Sequence, residues 1–132
     1  MKKGQFIHSI RIPLFKNNTF KAYKISKRFD DDISSVCAAF NLEVVKNKVN
    51  NIRIAYGGMA AIPKRAIYCE KILSNSIVTD EIINKAKKAL EKDFKPISDM
   101  RASGSYRMEV AKNLLEKCCA EIRYKKLIGI YA

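Results

Sequence analysis

Two stretches in the first half of the chain alternate between apolar and polar residues. Between Ile33 and Val45, every second side chain from position 36 onward is apolar, and these side chains are Val36, Ala38, Phe40, Leu42 and Val44. This is the period of a strand with a single buried face. Ile52 to Tyr56 alternates in the same way after Lys46 to Asn51, whose three asparagines and two lysines are typical of a loop. We therefore predict a long antiparallel hairpin with one apolar face.

Two further segments, which precede the hairpin, are predicted to be extended. Residues 5–12 alternate loosely and end at Pro13, which indicates a strand at a sheet edge, because proline cannot donate to a hydrogen-bond ladder. Leu14 to Thr19 is predicted to be a loop, and Phe20 to Ser26 a short strand.

The run of aspartates at 30–32 lacks the glycine and the distal glutamate of a calcium-binding loop, so it predicts a charged turn.

The second half of the chain changes to helical spacing. Pro63 suits the first turn of a short helix over about Lys64 to Leu73, which residues 74–76 would end. Thr79 is suited to cap the next helix, whose first turn holds two acidic residues that the helix dipole favours. The apolar stripe of this second helix consists of Ile82, Ile83, Ala86 and Leu90.

The last helix is predicted to start near Ser103 or Ser105. Its core stripe repeats at every fourth position and consists of Tyr106, Val110, Leu114, Cys118 and Ile122. The tail from Arg123 to Ala132 could add a strand or contact a partner, and the sequence leaves both open. Strands come first and helices after them, which predicts an α+β fold: a small antiparallel β-sheet of about three strands with helices packed on one face.

The composition is that of a globular protein with an excess of positive charge. The chain has 132 residues, of which 48% are apolar, and this suffices for one domain over 1–132 with its own core. The formal net charge of +13 attracts polyanions, so a basic nucleic-acid-binding module is one functional alternative. The basic residues are spread along the chain without interleaved aromatics or a recognition-helix motif, and we favour a solvated surface.

Metal and membrane sites find little support in the sequence. The four cysteines, at 37, 69, 118 and 119, show no C-x-x-C spacing, and His8 is the only histidine, so we expect no metal site. Cys118 and Cys119 are expected to face different directions and to remain thiols. No secretory signal and no run of about 18 apolar residues is found, so we expect a cytoplasmic protein without a membrane partner.

Two loops could carry chemistry. Gly57 and Gly58 follow the returning strand, where a glycine pair permits a tight corner, and no phosphate-binding glycine motif surrounds them. Before the last helix, Asp99 could pair with Arg101 or Arg107 and hold the loop against the helix start. Arg101 and the helix N-terminus could instead bind a phosphate, but we favour the structural interpretation. The sequence shows no set of residues typical of a catalytic site.

Five ordered blocks carry a resemblance to a known family. They are SIRIP (Ser9 to Pro13), FKAYKISKRFDDDISSVCAAF (Phe20 to Phe40), IRIAYGGMAAIPKRA (Ile52 to Ala66), KALEKDFKPISDMRASGSYR (Lys88 to Arg107) and AKNLL (Ala111 to Leu115). In this order and spacing the chain resembles the C-terminal domain of the FAD-binding subunit of molybdenum hydroxylases, the family of xanthine dehydrogenase and the carbon monoxide dehydrogenase flavoprotein. The resemblance covers about residues 5–123. The YGGMAA and DDDISSVCAAF segments favour the xanthine dehydrogenase branch.

The resemblance implies a place in an electron-transfer chain. In this family a molybdopterin centre oxidises the substrate, two [2Fe-2S] iron–sulfur clusters relay electrons to FAD, and the flavin passes them on, usually to NAD. The corresponding domain helps to cover the flavin end of FAD. By position, the resemblance implies that Ile7 and Lys24 contact the cofactor, with Ile7 standing where the dehydrogenases usually have leucine. An aliphatic side chain can pack on the flavin ring, and a lysine favours the negative charge of reduced flavin or of a phosphate.

The resemblance also implies what lies outside this chain. The N-terminal half that binds the FAD pyrophosphate has no counterpart here, so we expect a fragment or a subunit encoded as two chains. Such a chain would bind FAD weakly or not at all by itself. The iron–sulfur and molybdopterin groups are expected only in partner subunits, so the chain would not be active alone. An assembly-only scaffold domain, in which no residue touches the cofactor, is a further alternative.

Overall fold

A sheet of antiparallel strands and three helices make up the described part of the chain. The computed structural model describes residues 2–12, 18–28 and 32–124. In chain order its elements are β1 (Asn18–Ile25), β2 (Val36–Val45), β3 (Lys48–Gly57), β4 (Lys64–Arg65), α1 (Ile67–Leu73), β5 (Ser76–Ile77), α2 (Asp80–Asp93) and α3 (Gly104–Tyr124). Strands precede the long helices, and the predicted α+β class is confirmed.

The central hairpin of β2 and β3 is confirmed, but its turn is shorter than predicted. The two strands pair from Cys37 opposite Gly57 to Val45 opposite Lys48. Only Lys46 and Asn47 lie between them, at positive φ angles of 50° and 62°, which is the backbone of a tight two-residue turn. The loop predicted over 46–51 is therefore wrong, since the strand resumes at once after the turn.

The sheet extends the hairpin on both sides. β1 pairs antiparallel with β2, which confirms a strand over Phe20 to Ser26, although it begins earlier, at Asn18. β4 and β5 are strands of two residues each, and both pair antiparallel with β3. The sheet order is β1-β2-β3-β4, with β5 beside β3 as well. The three long strands therefore match the predicted sheet, and the two short ones add to its far edge.

The inner face of the sheet, which faces the helices, holds the core. The predicted apolar face of β2 is fully buried from Val36 to Leu42 at every second position. Tyr56 of β3 lies between the rings of Phe40 and Phe94, with centroids 6.0 and 5.5 Å away, in the edge-to-face geometry that aromatic pairs prefer. Its hydroxyl donates to the carbonyl oxygen of Ala111 at 2.9 Å, so this one side chain joins the sheet to α3.

The first helix starts later than predicted. Lys64 and Arg65 belong to β4 rather than to a helix, and Pro63 does not open α1, which begins at Ile67. Asp93, at the end of α2, accepts hydrogen bonds from the backbone N–H groups of Tyr68 and Cys69. This distant carboxylate caps the first turn of α1, which explains why the local proline does not set the boundary.

The caps of the two longer helices follow the predictions. The Thr79 hydroxyl accepts the N–H of Ile82 at 3.3 Å and starts α2. The Ser103 hydroxyl accepts the N–H of Tyr106 at 3.2 Å and starts α3. The predicted stripe of α3 is wrong at its first position, because Tyr106 is 50% exposed and its neighbour Arg107 is buried instead.

The segment at residues 5–12 is not a strand, so that prediction is wrong. Its apolar residues at positions 6, 10 and 12 would share one strand face, but the segment pairs with no strand of the described sheet, and all four of its apolar side chains, Ile7 included, are exposed. Residues 13–17, most of the loop predicted over 14–19, lie outside the described residues, as do two of the three aspartates at 30–32. Asp32 accepts the N–H of Arg28, as expected of a turn. The tail beyond Tyr124 also lies outside the described residues.

Candidate functional site

The sheet face that points away from the helices, here called the outer face, carries small side chains around one lysine. The outer face is defined by Ala22, Lys24, Cys37, Ala39, Ala55 and Gly57. Strand register places Lys24, Cys37 and Gly57 in one row across the sheet, and the three alanines in the next. Neighbouring strands lie about 4.8 Å apart, so the two rows form a low floor.

The outer face stays open at the residues closest to Lys24. A Cβ atom added to Gly57 would meet only the Cβ of Cys37, at 3.7 Å, which is ordinary contact. Lys24 itself is exposed. Phe20, two positions before Ala22 on the same side of β1, is also 66% exposed. An exposed aromatic beside a floor of small side chains is a surface that another molecule can cover.

The second predicted site residue, Ile7, is not brought to the outer face by the described contacts. It lies on the 2–12 segment, outside the sheet, and its side chain is 67% exposed. The hydrogen bonds described for this segment join only Lys2 and Gln5. The structure therefore places Lys24 in the sheet and leaves Ile7 on a separate segment, as an apolar side chain in contact with solvent.

The glycine pair at the end of β3 forms a corner that Arg107 holds. Gly58 has a φ of +81°, and a Cβ atom there would lie 2.3 Å from the carbonyl oxygen of Ser35, so no larger residue fits. The Arg107 guanidinium donates to the carbonyl oxygens of Ser35 and Gly58 at 2.5 and 3.0 Å. This buried arginine thereby joins the start of β2 to the end of β3, beside the row that contains Lys24.

The loop before α3 completes this arrangement. Asp99 accepts a hydrogen bond from Arg107 at 2.6 Å and further ones from the backbone N–H groups of Arg101 and Ala102. The backbone N–H groups of Arg101 and Ala102, and then Arg107, hold the pKa of Asp99 below its ordinary value. The carboxylate thus partners Arg107 rather than the Arg101 side chain. The geometry agrees with the structural interpretation of this loop.

On the inner side of the sheet, a polar cluster fixes β1 against α3. The Tyr23 hydroxyl donates to Glu121 at 2.9 Å, and the Nζ of Lys21 lies 3.0 Å from the same carboxylate. Burial, followed by the nearby Cys118 and Glu121, raises the pKa of Tyr23 far above its ordinary value. Because Tyr23 and Lys24 are neighbours on opposite faces of one strand, this cluster also sets the position of Lys24.

The cysteines and carboxylates provide no metal site in the part of the chain that the structure describes. All four cysteines are free thiols, and no group of three or more potential metal-binding side chains forms among the described residues. Burial raises the pKa of the Cys119 thiol to about 12 and those of Cys69 and Cys118 further. Cys37, on the outer face, is the partly exposed one.

The outer face combines a floor of small side chains with the cation of Lys24. Small side chains let a planar ring lie close to the backbone, and Lys24 supplies a cation at the edge of the floor. No helix among the described residues is long and apolar enough to cross a membrane.

The fold is shared with two oxidoreductases of known structure. Quinoline 2-oxidoreductase from Pseudomonas putida 86 superposes with a TM-score of 0.69 at 19% identity, over 83% of this chain and 38% of the other. Carbon monoxide dehydrogenase from Oligotropha carboxidovorans superposes with a TM-score of 0.72 at 23% identity, over 84% of this chain and 40% of the other. At these identities the similarity shows the fold alone.

The family is shown by sequence. The model of the CO dehydrogenase flavoprotein C-terminal domain matches residues 21–122, and the chain belongs to this family. It is 30% identical over 121 residues to the glyceraldehyde dehydrogenase medium chain of Sulfolobus acidocaldarius, and the aligned region covers 91% of this chain and 42% of the relative. It is 38% identical over 92 residues to xanthine dehydrogenase of Emericella nidulans, and the aligned region covers 67% of this chain and 7% of the relative. The chain thus spans less than half the length of these relatives.

The sequence names Lys24 as a candidate, which stays a prediction, and it does not predict the side chains that hold the surface around Lys24. The buried charged residues Arg107, Glu70 and Asp93 were not predicted as core residues. Glu70 accepts the N–H of Ile54 and binds Arg65, which fixes β3 to β4 and α1. Of the three, only Arg107 was named from the sequence, as a possible partner of Asp99, and the two carbonyl groups that it also binds are far away in the sequence.

Proposed function

We propose that this chain is the accessory domain of the FAD subunit of a molybdenum hydroxylase and that its outer face covers the flavin end of the cofactor. The observation that carries the proposal is the row of Lys24, Cys37 and Gly57 beside the row of three alanines on the outer face. The family match supplies the class of protein. The proposal assigns the flavin end of FAD to this face.

Each residue of the outer face has a role in this proposal. FAD, when bound, accepts and donates electrons. Lys24 places a positive charge beside the ring or beside a cofactor phosphate, and so favours the more negatively charged form. The small side chains at Ala39 and Gly57 keep the ring close to the backbone and exclude water. Ile7 would pack on the cofactor once the 2–12 segment is held by the assembled subunit.

The remaining groups of the electron path belong to other polypeptides in this proposal. The FAD-binding N-terminal half holds the pyrophosphate, an iron–sulfur subunit supplies electrons to the flavin, and a molybdopterin subunit oxidises the substrate. NAD is the proposed final acceptor. The domain is not active alone, and the proposed complex is cytoplasmic, with no nucleic-acid or membrane partner.

The test uses the assembled complex, isolated through an affinity tag on this chain. FAD content per complex and flavin loss on dilution are measured from flavin fluorescence, and the flavin midpoint potential from a redox titration. Lys24→Ala is expected to speed flavin loss and to lower the midpoint potential. The matched control is Lys48→Ala, an exposed strand lysine at the hairpin end of the sheet. Equal values in both variants would remove Lys24 from the flavin site.

Two other results would favour one of the two alternative functions. A complex that keeps its flavin unchanged through substitutions at Lys24, Ile7 and Gly57 would instead support the assembly-only scaffold. Tight, salt-dependent binding of the isolated chain to DNA or RNA at physiological salt would support the nucleic-acid alternative suggested by the charge of +13. Recovery of the chain without any flavin-containing partner would contradict the proposal.

A further inference from the structure

A groove between α1 and α2 combines an apolar floor with a rim of lysines. It lies on the helical layer, away from the outer face, and has a volume of about 380 Å³. Ile72 and Ala89 form its floor, and the half-exposed ring of Tyr68 forms one wall. The rim consists of Lys71, Lys85, Lys88 and Lys92. Cations around an apolar floor favour a ligand that is both acidic and partly apolar.

The rim carries more positive charge than its surroundings neutralise. Lys85 pairs with Glu81 at 2.6 Å, one turn earlier on α2. Among residues 2–12, 18–28 and 32–124, no carboxylate lies within ion-pair distance of Lys71, Lys88 or Lys92. Lys71 instead lies over the Tyr68 ring, 5.7 Å from its centre. The rim therefore keeps a net positive potential.

The opposite side of the same helix shows that this charge excess is local. Where α2 meets α3, Lys87 pairs with Glu116 at 2.5 Å, and Lys112 pairs with Glu91 at 2.6 Å. Lysines along that contact are thus matched by glutamates of the same domain. Along the α1–α2 groove, Lys85 is the one rim lysine with an ion-pair partner among the described residues, and Glu91, on which the charge of Lys88 acts, pairs with Lys112. Lys71, Lys88 and Lys92 can therefore pair with carboxylates of another molecule.

We propose that the α1–α2 groove docks an acidic segment of a partner protein. Its carboxylates pair with Lys88, Lys92 and Lys71, and an apolar side chain between them packs on Ile72 and against Tyr68. Nucleic acid fits less well, because base stacking uses several aromatic rings and the groove offers one. A membrane fits less well, because the apolar floor lies recessed between two helices. The proposal does not depend on the flavin role of the outer face.

The test measures binding of a defined probe to the 132-residue chain. The probe is a fluorescein-labelled peptide of alternating glutamate and leucine, and binding is followed by fluorescence anisotropy at low and at physiological salt. The groove variant is Lys88→Glu/Lys92→Glu. The matched control is Lys3→Glu/Arg53→Glu, which has the same net charge but alters the 2–12 segment and the outer side of the sheet. Circular dichroism confirms that each variant is folded.

The expected result is a loss of about tenfold or more in affinity for the groove variant, and much less for the control. Tyr68→Ser is expected to weaken binding at physiological salt too, since it removes an apolar contact rather than a charge. The neutral pair Lys88→Gln/Lys92→Gln serves if the charge reversal impairs folding, and it should weaken binding in the same direction.

Three outcomes would overturn the proposal. The first is an absence of saturable binding by the unaltered chain. The second is an equal loss of affinity for the peptide in the groove variant and in the control, which would show that binding depends only on the net charge of the chain. The third is tighter binding of single-stranded RNA or of anionic lipid vesicles than of the peptide, with loss of that binding in the groove variant.

Discussion

The two neighbouring glycines at the end of β3 give the sharpest test of the structure. Gly58→Ala places a Cβ atom 2.3 Å from the carbonyl oxygen of Ser35 and 3.0 Å from the Arg107 guanidinium, at a φ of +81°. Gly57→Ala places its Cβ 3.7 Å from the Cβ of Cys37, with no unusual φ. The same chemical change is therefore severe at one position and mild at the next.

The expected cost follows from two contributions at Gly58. A non-glycine residue in the left-handed region costs about 1–2 kcal/mol, and the overlap with the Ser35 carbonyl adds about 1–3 kcal/mol as the start of β2 shifts. Gly58→Ala should then lower the free energy of unfolding by about 2–5 kcal/mol. With an unfolding entropy of about 2.1 cal/mol/K per residue, this lowers Tm by about 7–18 °C for this chain. Gly57→Ala should stay within about 1 kcal/mol of the unaltered chain.

The measurement is urea unfolding followed by far-ultraviolet circular dichroism, with a thermal melt on the same samples. Equal urea dependence in all three proteins would show that the substitutions change stability without changing the surface exposed on unfolding. A Gly58→Ala variant within about 0.5 kcal/mol of the unaltered chain would refute the corner geometry. So would a Gly57→Ala variant as unstable as Gly58→Ala, because the contacts around the two positions differ.

Two further predictions concern the thiols and the loop before α3. In the folded chain Cys37 should react with a thiol reagent at pH 8 well before Cys69, Cys118 and Cys119, whose burial raises their pKa values; equal rates for all four would contradict the core packing. Asp99 has a lowered pKa in the folded state, so its contribution to stability is present above the unfolded pKa of about 3.9 and is lost as pH falls through the folded value. Asp99→Asn should therefore destabilise the chain at pH 7, and unfolding curves of the two proteins should converge towards pH 3; a constant difference would argue against ionisation of Asp99 as the cause.

Local patterns in the sequence predicted the elements that depend on local causes. The hairpin follows from a period of two, and the start of α2 follows from Thr79, whose hydroxyl needs only the N–H three residues on. The segment at 5–12 also has three apolar residues at strand spacing, but no strand of the described sheet pairs with it, so the same period does not produce a strand there. The family resemblance identified Lys24, and the strand register then showed its neighbours on the outer face.

Features that depend on contacts between residues far apart in the chain could not be predicted from the sequence. The start of α1 is set by Asp93, which follows Cys69 by more than twenty residues and binds its backbone N–H. Arg107 is buried although arginine is rarely a core residue, because Ser35, Gly58 and Asp99 together accept hydrogen bonds from its two terminal nitrogens. Its buried Nε has no hydrogen-bond partner among the described residues. Neither arrangement produces a periodic pattern in the sequence, because each joins segments that come together only in the folded chain.

The dependence of α1 on distant caps also sets an order for folding. A helix of seven residues is too short to persist alone in water. Its first turn needs the carboxylate of Asp93 from α2, and Glu70 within it needs the backbone of Ile54 in β3. We therefore expect α1 to form after the hairpin and α2. The groove that α1 shares with α2 then exists only in the completed domain, so a partner that docks there would select chains that have finished folding.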